Sequence, residues 1–263
     1  MQVVYEFIEY LENSTNLSFN TLRLYKRDLL DFTNFIKSTE DESFHIKSLS
    51  PRHLEAFANF IKNKGASTAA VNRKLTALHK MWIWLKETLL LNKDPFTQIV
   101  RDPQFRNKKA TILSEHEVDL LLKREDNYDL ATELILELIY SCGLRVKELL
   151  GLTLEDISIT EELIFINKDI SAKSRIIPMI DSVKNLISEY IQTNNLKASQ
   201  RLFQISAREV YRVIQAKALA VGIDKKISAS VLRNSFIKHM KARGAHQIFL
   251  QDIMGQKNFA RIA

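Results

Sequence analysis

Apolar side chains return every third or fourth residue through most of the first hundred positions. That spacing puts them on one side of a 3.6-residue helix and commits this part of the chain to α structure. Leu22, Tyr25, Leu29, Phe32 and Ile36 form one stripe, Leu54, Phe57, Ala58 and Ile61 a second, and Val71, Leu75, Leu78, Trp82 and Leu85 a third. A shorter amphipathic segment, Val4 to Leu11, precedes them. Four helices follow, joined by short polar connections such as Asn13 to Ser18 and Asn63 to Ser67. Ser50 before Pro51 reads as an N-cap and first helical position, and Gly65 as a C-terminal stop. The expectation is a helical bundle. Opposite the apolar stripes lie Asn20, Arg23 and Arg27 on the second helix and Arg73 and Lys80 on the fourth, faces that are either solvated or laid on a phosphate backbone.

The pattern breaks after Asn92. Pro95, Pro103 and the polar run Arg106, Asn107, Lys108, Lys109 carry no helical stripe, which predicts a linker. The domain reading is therefore a helical unit at 1–100, a linker at 101–112 and a second unit at 113–263. In the second unit Ser114 with Glu117 makes a capping box, and Ala131, Leu134, Ile135 and Leu138 form another stripe. Leu163 to Ile166 and Ile176 to Met179 then read as two strands of a hairpin. Helices are expected again at about Asp181 to Thr193, Ala207 to Val221, Ala229 to Ala242 and Ala245 to Met254. The fold class is mainly α, with a small antiparallel sheet in the second unit.

Charge is unevenly spread. Lys and Arg outnumber Asp and Glu by 14 to 12 in residues 1–105, are outnumbered 12 to 16 in 106–199, and lead 12 to 3 in 200–263. A field this basic attracts a polyanion through counterion release, so duplex nucleic acid is the leading partner. No apolar run nears the roughly 18 to 20 residues of a membrane span, and the start lacks the marks of a signal peptide, which predicts a cytoplasmic protein without membrane contact. The single cysteine, Cys142, excludes an internal disulfide and a CxxC zinc pair. The histidines lack metal-ligand spacing and no glycine loop cradles a nucleotide, so neither metal nor cofactor is expected.

The run from Ser141 through Gly143, Arg145 and Glu148 to Ile157 resembles the first arginine box of the tyrosine recombinases, the phage-integrase and Xer family. Asn20 to Leu29, Val71 to His79, Leu113 to Val118 and Val231 to Phe236 resemble other family segments in the right order. The resemblance implies a SAM-like core-binding domain and a mixed catalytic domain clamping duplex DNA. It also implies phosphoryl transfer through a 3′-phosphotyrosyl intermediate without metal. Such chemistry needs fixed cations for the charge growing on phosphate oxygens, and arginine's planar fork suits them. By the resemblance Arg145 and Arg233 would hold the scissile phosphate. A hairpin lysine would protonate the leaving 5′ oxygen, and both Lys168 and the alternative Lys173 match that place. Lys108 and Lys109 join Asn20, Arg23, Arg27, Arg73 and Lys80 as candidate DNA contacts. A homologous recombinase subunit is a further possible partner.

The sequence departs from the family at three points. Ser230 stands where a histidine precedes the second arginine by three residues; its hydroxyl can donate to phosphate but cannot act as a general base near neutrality. His239, about 600° around the helix from Arg233, points elsewhere and reads as a structural or interfacial histidine. Gln256 replaces the histidine or tryptophan of the later box, where its amide can still donate. The family tyrosine falls about nine residues beyond Gln256, at position 265, past the last residue Ala263. Tyr211, the last tyrosine, lies beside Val210, Ile214 and Ala218, where core packing is the expectation. Two readings follow: a site-specific DNA recombinase whose sequence stops just before its nucleophile, or a non-cleaving relative that occupies DNA sites or modulates an active recombinase.

Overall fold

The computed structural model describes residues 2–15, 17–40, 44–89, 93–97, 110–124, 129–167 and 174–255. The chain divides into two units, Met1–Lys108 and Lys109–Ala263.

The first unit holds α1 (Gln2–Ser14), α2 (Phe19–Thr39), α3 (Pro51–Asn63) and α4 (Thr68–Leu89). The start of α2 is fixed by Ser18, whose hydroxyl accepts from the Thr21 N–H at 3.3 Å. Pro51 opens α3, and the Ser50 N–H donates to His53 Nδ1 at 3.0 Å. Gly65 closes α3 with φ of 83°, a left-handed conformation that glycine adopts without a Cβ penalty. Val71, Leu75, Leu78, Trp82 and Leu85 of α4 are all buried, against Leu29, Phe32 and Ile36 of α2 and Leu54, Phe57 and Ile61 of α3 in one core. Each such side chain contributes about 1.5–3 kcal/mol of burial, so the stripes read from sequence hold the bundle together. Inside it lies one charged knot: Asp28, fully buried, accepts from Lys74 at 2.9 Å and from Arg73.

The second unit runs through α5 (Glu115–Leu122), α6 (Leu130–Tyr140), α7 (Val146–Gly151), β1 (Ile157–Ser158), β2 (Leu163–Ile166), β3 (Arg175–Pro178), α8 (Asp181–Asn194), α9 (Ala207–Ala220), α10 (Ala229–Ala242) and α11 (Gln247–Met254). The capping box at α5 is formed: Glu117 N–H donates to Ser114 Oγ at 3.1 Å and Ser114 N–H to Glu117 Oε2 at 2.7 Å. The three strands lie in order β1-β2-β3, both pairs antiparallel, with Leu163 opposite Pro178 and Ile166 opposite Arg175. The two-residue β1 carries too short a pattern for alternation to reveal, and the second hairpin strand begins at Arg175 rather than Ile176.

The mainly α fold with a small antiparallel sheet is thus observed. Among the described residues no helix is long and apolar enough to cross a membrane. One further detail of the sequence reading is corrected, the packing of Tyr211. Tyr211 is 45% exposed: Val210, Ile214 and Ala218 are buried, but the roughly 100° step from Val210 takes Tyr211 off their stripe. Arg145 is the N-cap of α7. His239 is buried inside the unit, where Nε2 donates to the Leu113 carbonyl at 2.9 Å, leaving Nδ1 to accept from the Tyr140 hydroxyl at 2.8 Å. That phenol stays protonated, since burial pushes its pKa up to about 12.

Candidate active site

Gly143, two residues before Arg145, turns the chain with φ of 63° between α6 and α7. A Cβ there would collide with Met254 Sδ, so the end of α11 lies against this turn as it does because the residue is glycine, and any other would make the Met254 side chain shift. The arginine at 145 and the last residues of α11 are therefore brought to one place by backbone geometry.

Three guanidinium groups meet there. The carbonyls of Ile253, Met254 and Gly255, the negative end of α11, each accept from a different arginine: Arg175 Nε at 2.6 Å, Arg233 Nη2 at 3.1 Å and Arg145 Nη2 at 2.8 Å. Arg233 also donates from Nε to the Gly143 carbonyl at 2.7 Å. At the centre sits the Glu148 carboxylate. It accepts the Arg145 backbone N–H at 2.8 Å and Arg145 Nη1 at 2.6 Å, and takes Arg175 as a fork, Nη1 and Nη2 both at 2.8 Å.

Burial sets the electrostatics. Burial alone would raise the Glu148 carboxyl, but hydrogen bonds from Arg175 and from the Arg145 N–H, with the Arg175 charge, outweigh it and hold the pKa down at about 2. Arg233 is pushed down to about 10, first by burial and then by the Arg145 charge, with Arg175 adding to the repulsion. One carboxylate faces three guanidinium cations, so the cluster keeps two positive charges in excess. The Arg145 side chain is 30% exposed, whereas those of Arg175 and Glu148 are 5% exposed. An anion arriving from solvent would meet Arg145 first and would relieve the repulsion felt by Arg233.

The sequence-selected residues fall into three groups. Arg145 and Arg233 come together. Ser230 lies exposed in the first turn of α10, one turn before Arg233 on the same helix, with Arg233 itself buried. Lys168, Lys173, Gln256, Lys108 and Lys109 lie outside the described residues. In the first unit Asn20, Arg23, Arg27 and Lys80 are exposed, and Lys80 Nζ stands 5.4 Å from the Tyr25 ring centroid. Arg73 differs from these, being bound to the buried Asp28. Sequence reasoning passed over Arg175 and the carbonyls at the end of α11. The one available signal for Arg175 was an arginine at the head of an apolar strand, where a charge needs a buried partner. Among the described residues no three His, Cys, Asp or Glu side chains cluster as a metal site requires.

Comparison with known proteins agrees with this architecture. Residues 4–88 match the model described as phage integrase, N-terminal SAM-like domain, and residues 111–262 match the phage integrase family. A tyrosine recombinase of Pseudothermotoga lettingae is 26% identical over 267 residues, covering 98% of this chain and 91% of its own length. The tyrosine recombinase XerD of Oceanobacillus iheyensis is 28% identical over 269 residues, covering 97% and 90%. Among solved structures, the Tn1549 transposon integrase in complex with transposon right end DNA superposes with a TM-score of 0.73 at 18% identity, covering 98% of this chain and 92% of that one. The XerH site-specific recombinase bound to palindromic difH substrate gives 0.75 at 16% identity, covering 97% and 77%. With more than half of its length matched by the catalytic model, preceded by the SAM-like domain, the chain belongs to the phage integrase family, the tyrosine recombinases.

Proposed function

We propose that this protein is a site-specific DNA recombinase of the tyrosine type, which binds duplex DNA and cuts and rejoins one strand at a time through a 3′-phosphotyrosyl intermediate. The observation that carries the reading is the convergence of Arg145 and Arg233 on the neighbouring carbonyls of Gly255 and Met254. Two guanidinium groups so placed, with net positive charge around them, stabilise the oxygens of a phosphate whose charge grows in the transition state. Lys168, or Lys173 in its stead, protonates the departing 5′ oxygen. Ser230 and Gln256 donate hydrogen bonds to the phosphate, and the nucleophile is a tyrosine at about position 265 by family spacing. Asn20, Arg23, Arg27, Lys80, Lys108 and Lys109 contact the duplex, while Arg73 stays with the buried Asp28. The relatives solved with DNA support duplex DNA as the partner, and a second recombinase subunit is part of the same reading.

One observation favours a second reading. Ser230 supplies no general base, so a protein that grips DNA without cleaving it, occupying sites or modulating an active recombinase, is the alternative. The experiment is covalent trapping on a nicked duplex that loses its short leaving strand. A chain carrying tyrosine at position 265 is expected to form an adduct stable to denaturation, and the same chain with Arg145→Ala to form none. Salt-dependent duplex binding without any adduct would leave the non-cleaving reading in possession.

A further inference from the structure

The convergence of Arg145 and Arg233 leaves a problem of charge. Glu148 holds Arg145 through both its backbone N–H and its guanidinium. A carboxylate so near also repels the phosphate that Arg145 is proposed to bind, and on its own would cancel one of the two cations. The third arginine meets this problem. Arg175 heads β3 with its side chain 5% exposed, and its fork occupies one lone pair on each Glu148 oxygen. Its Nε–H donates to the Ile253 carbonyl. Arg145 Nη1 and Arg175 Nη1 donate to the same oxygen, Glu148 Oε1, and both flank the point where a Cβ on Gly255 would sit, at 3.4 and 3.3 Å. Arg175 therefore touches the counter-charge and the frame, while Arg145, being the more exposed, faces solvent.

We propose that Arg175 is a positioning and charge-compensating residue of the phosphate cradle: it neutralises Glu148, so that the carboxylate can orient Arg145 without lowering the positive charge offered to the phosphate. The inference rests on the reading that Arg145 and Arg233 bind phosphate. It accounts for the burial of a third arginine beside the pair, an arrangement that helix and strand packing alone does not require. It also explains why a bidentate cation is used: a fork fixes both carboxylate oxygens, and so fixes Arg145, whereas a point charge fixes one.

The test uses inorganic phosphate as the probe and separates folding from binding. Thermal unfolding of the whole chain is followed against phosphate concentration. The midpoint without phosphate reports the fold, and the saturable rise with phosphate reports the site through RT ln(1 + [L]/Kd). The linear rise that Arg145→Ala retains is the general salting effect and is subtracted. Arg175→Met removes one positive charge and is expected to weaken phosphate about tenfold, whereas Arg175→Met with Glu148→Gln restores the net charge and is expected to return Kd to within about threefold of the parent. Arg175→Lys keeps the charge but not the fork, and is expected to bind phosphate more tightly than Arg175→Met and more weakly than the parent. Glu148→Gln alone adds a net charge and binds phosphate about tenfold more tightly, even though its fold is weaker. That variant decides the matter should Arg175→Met not fold.

An Arg175→Met chain with a lowered midpoint but an unchanged phosphate rise would make Arg175 a folding residue only and overturn the inference. So would a double variant that stays as weak as Arg175→Met, or a Glu148→Gln chain no tighter than the parent. If the parent shows no saturable rise at all, the phosphate cradle of Arg145 and Arg233 itself fails, and the inference falls with it. The two failures are thus distinct.

Discussion

Glu148 accepts four hydrogen bonds from two arginines, and its position three residues after Arg145 closes the first turn of α7 as a capping carboxylate. Removing its charge leaves buried guanidinium groups facing each other without a counter-ion, a change of the kind that costs about 3–5 kcal/mol. Glu148→Gln is accordingly expected to lower the unfolding free energy measured by urea titration at neutral pH by that amount. The pH dependence has a definite sign. The folded pKa of about 2 lies below the ordinary 4.5, so the carboxylate stabilises the fold fully above about pH 5 and loses that contribution as pH falls through 2. The gap in stability between the parent and Glu148→Gln should narrow steadily between pH 5 and 2; a constant gap would show that Glu148 acts through shape rather than charge. At this scale Arg145 and Arg233 were legible because each stands in a segment that resembles a motif of the tyrosine recombinases. Arg175 was not, because its partners lie 27 and 78 positions away in the chain and only folding brings them near.

Among elements, helices announced themselves and the joints between them did not. Stripes three and four apart located α2, α3, α4 and α6, because each must bury one face, and the residues named in them are buried or packed against the buried core. The α6–α7 turn and the end of α11 carry no such repeat, yet they build the site. Gly143 is the residue on which both depend. Alanine there meets the left-handed φ of 63° and drives its Cβ into Met254 Sδ. Gly143→Ala is expected to destabilise the second unit by about 2–4 kcal/mol, roughly 1 from the backbone and the rest from the collision. A double-mutant cycle with Met254→Ala separates the parts. Shortening Met254 removes the collision, so the double variant should be more stable than the sum of the two single losses predicts, by about 1 kcal/mol or more. Strict additivity would mean that Met254 moves aside freely and that the turn, not the contact, demands glycine.

For the whole molecule, charge read along the chain overstates what is free on its surface. The basic last quarter loses part of its excess on folding, because Lys225 and Arg243 pair with Glu117 and Glu115 of α5, at 2.6 and 3.2 Å, while Arg233 and Lys217 are buried. The first unit makes the same distinction within one set of sequence candidates. Arg23 and Arg27 are exposed on α2, whereas Arg73 on α4 is held by Asp28, a carboxylate with no exposure to water. A cation that neutralises a DNA phosphate contributes about 0.9 to the slope of log K against log salt concentration, and one already neutralised by a buried carboxylate contributes little. Measured on one duplex over a range of salt, Arg23→Gln and Arg27→Gln are each expected to reduce the magnitude of the slope by about 1 while leaving the thermal midpoint nearly unchanged. Arg73→Gln should do the opposite: a slope within error of the parent, and a fold weaker by about 1.5–3 kcal/mol because Asp28 keeps only Lys74. If Arg73→Gln lowers the slope as much as the other two, its guanidinium leaves Asp28 for phosphate when DNA binds, and the charged knot between α2 and α4 is part of the interface rather than of the core.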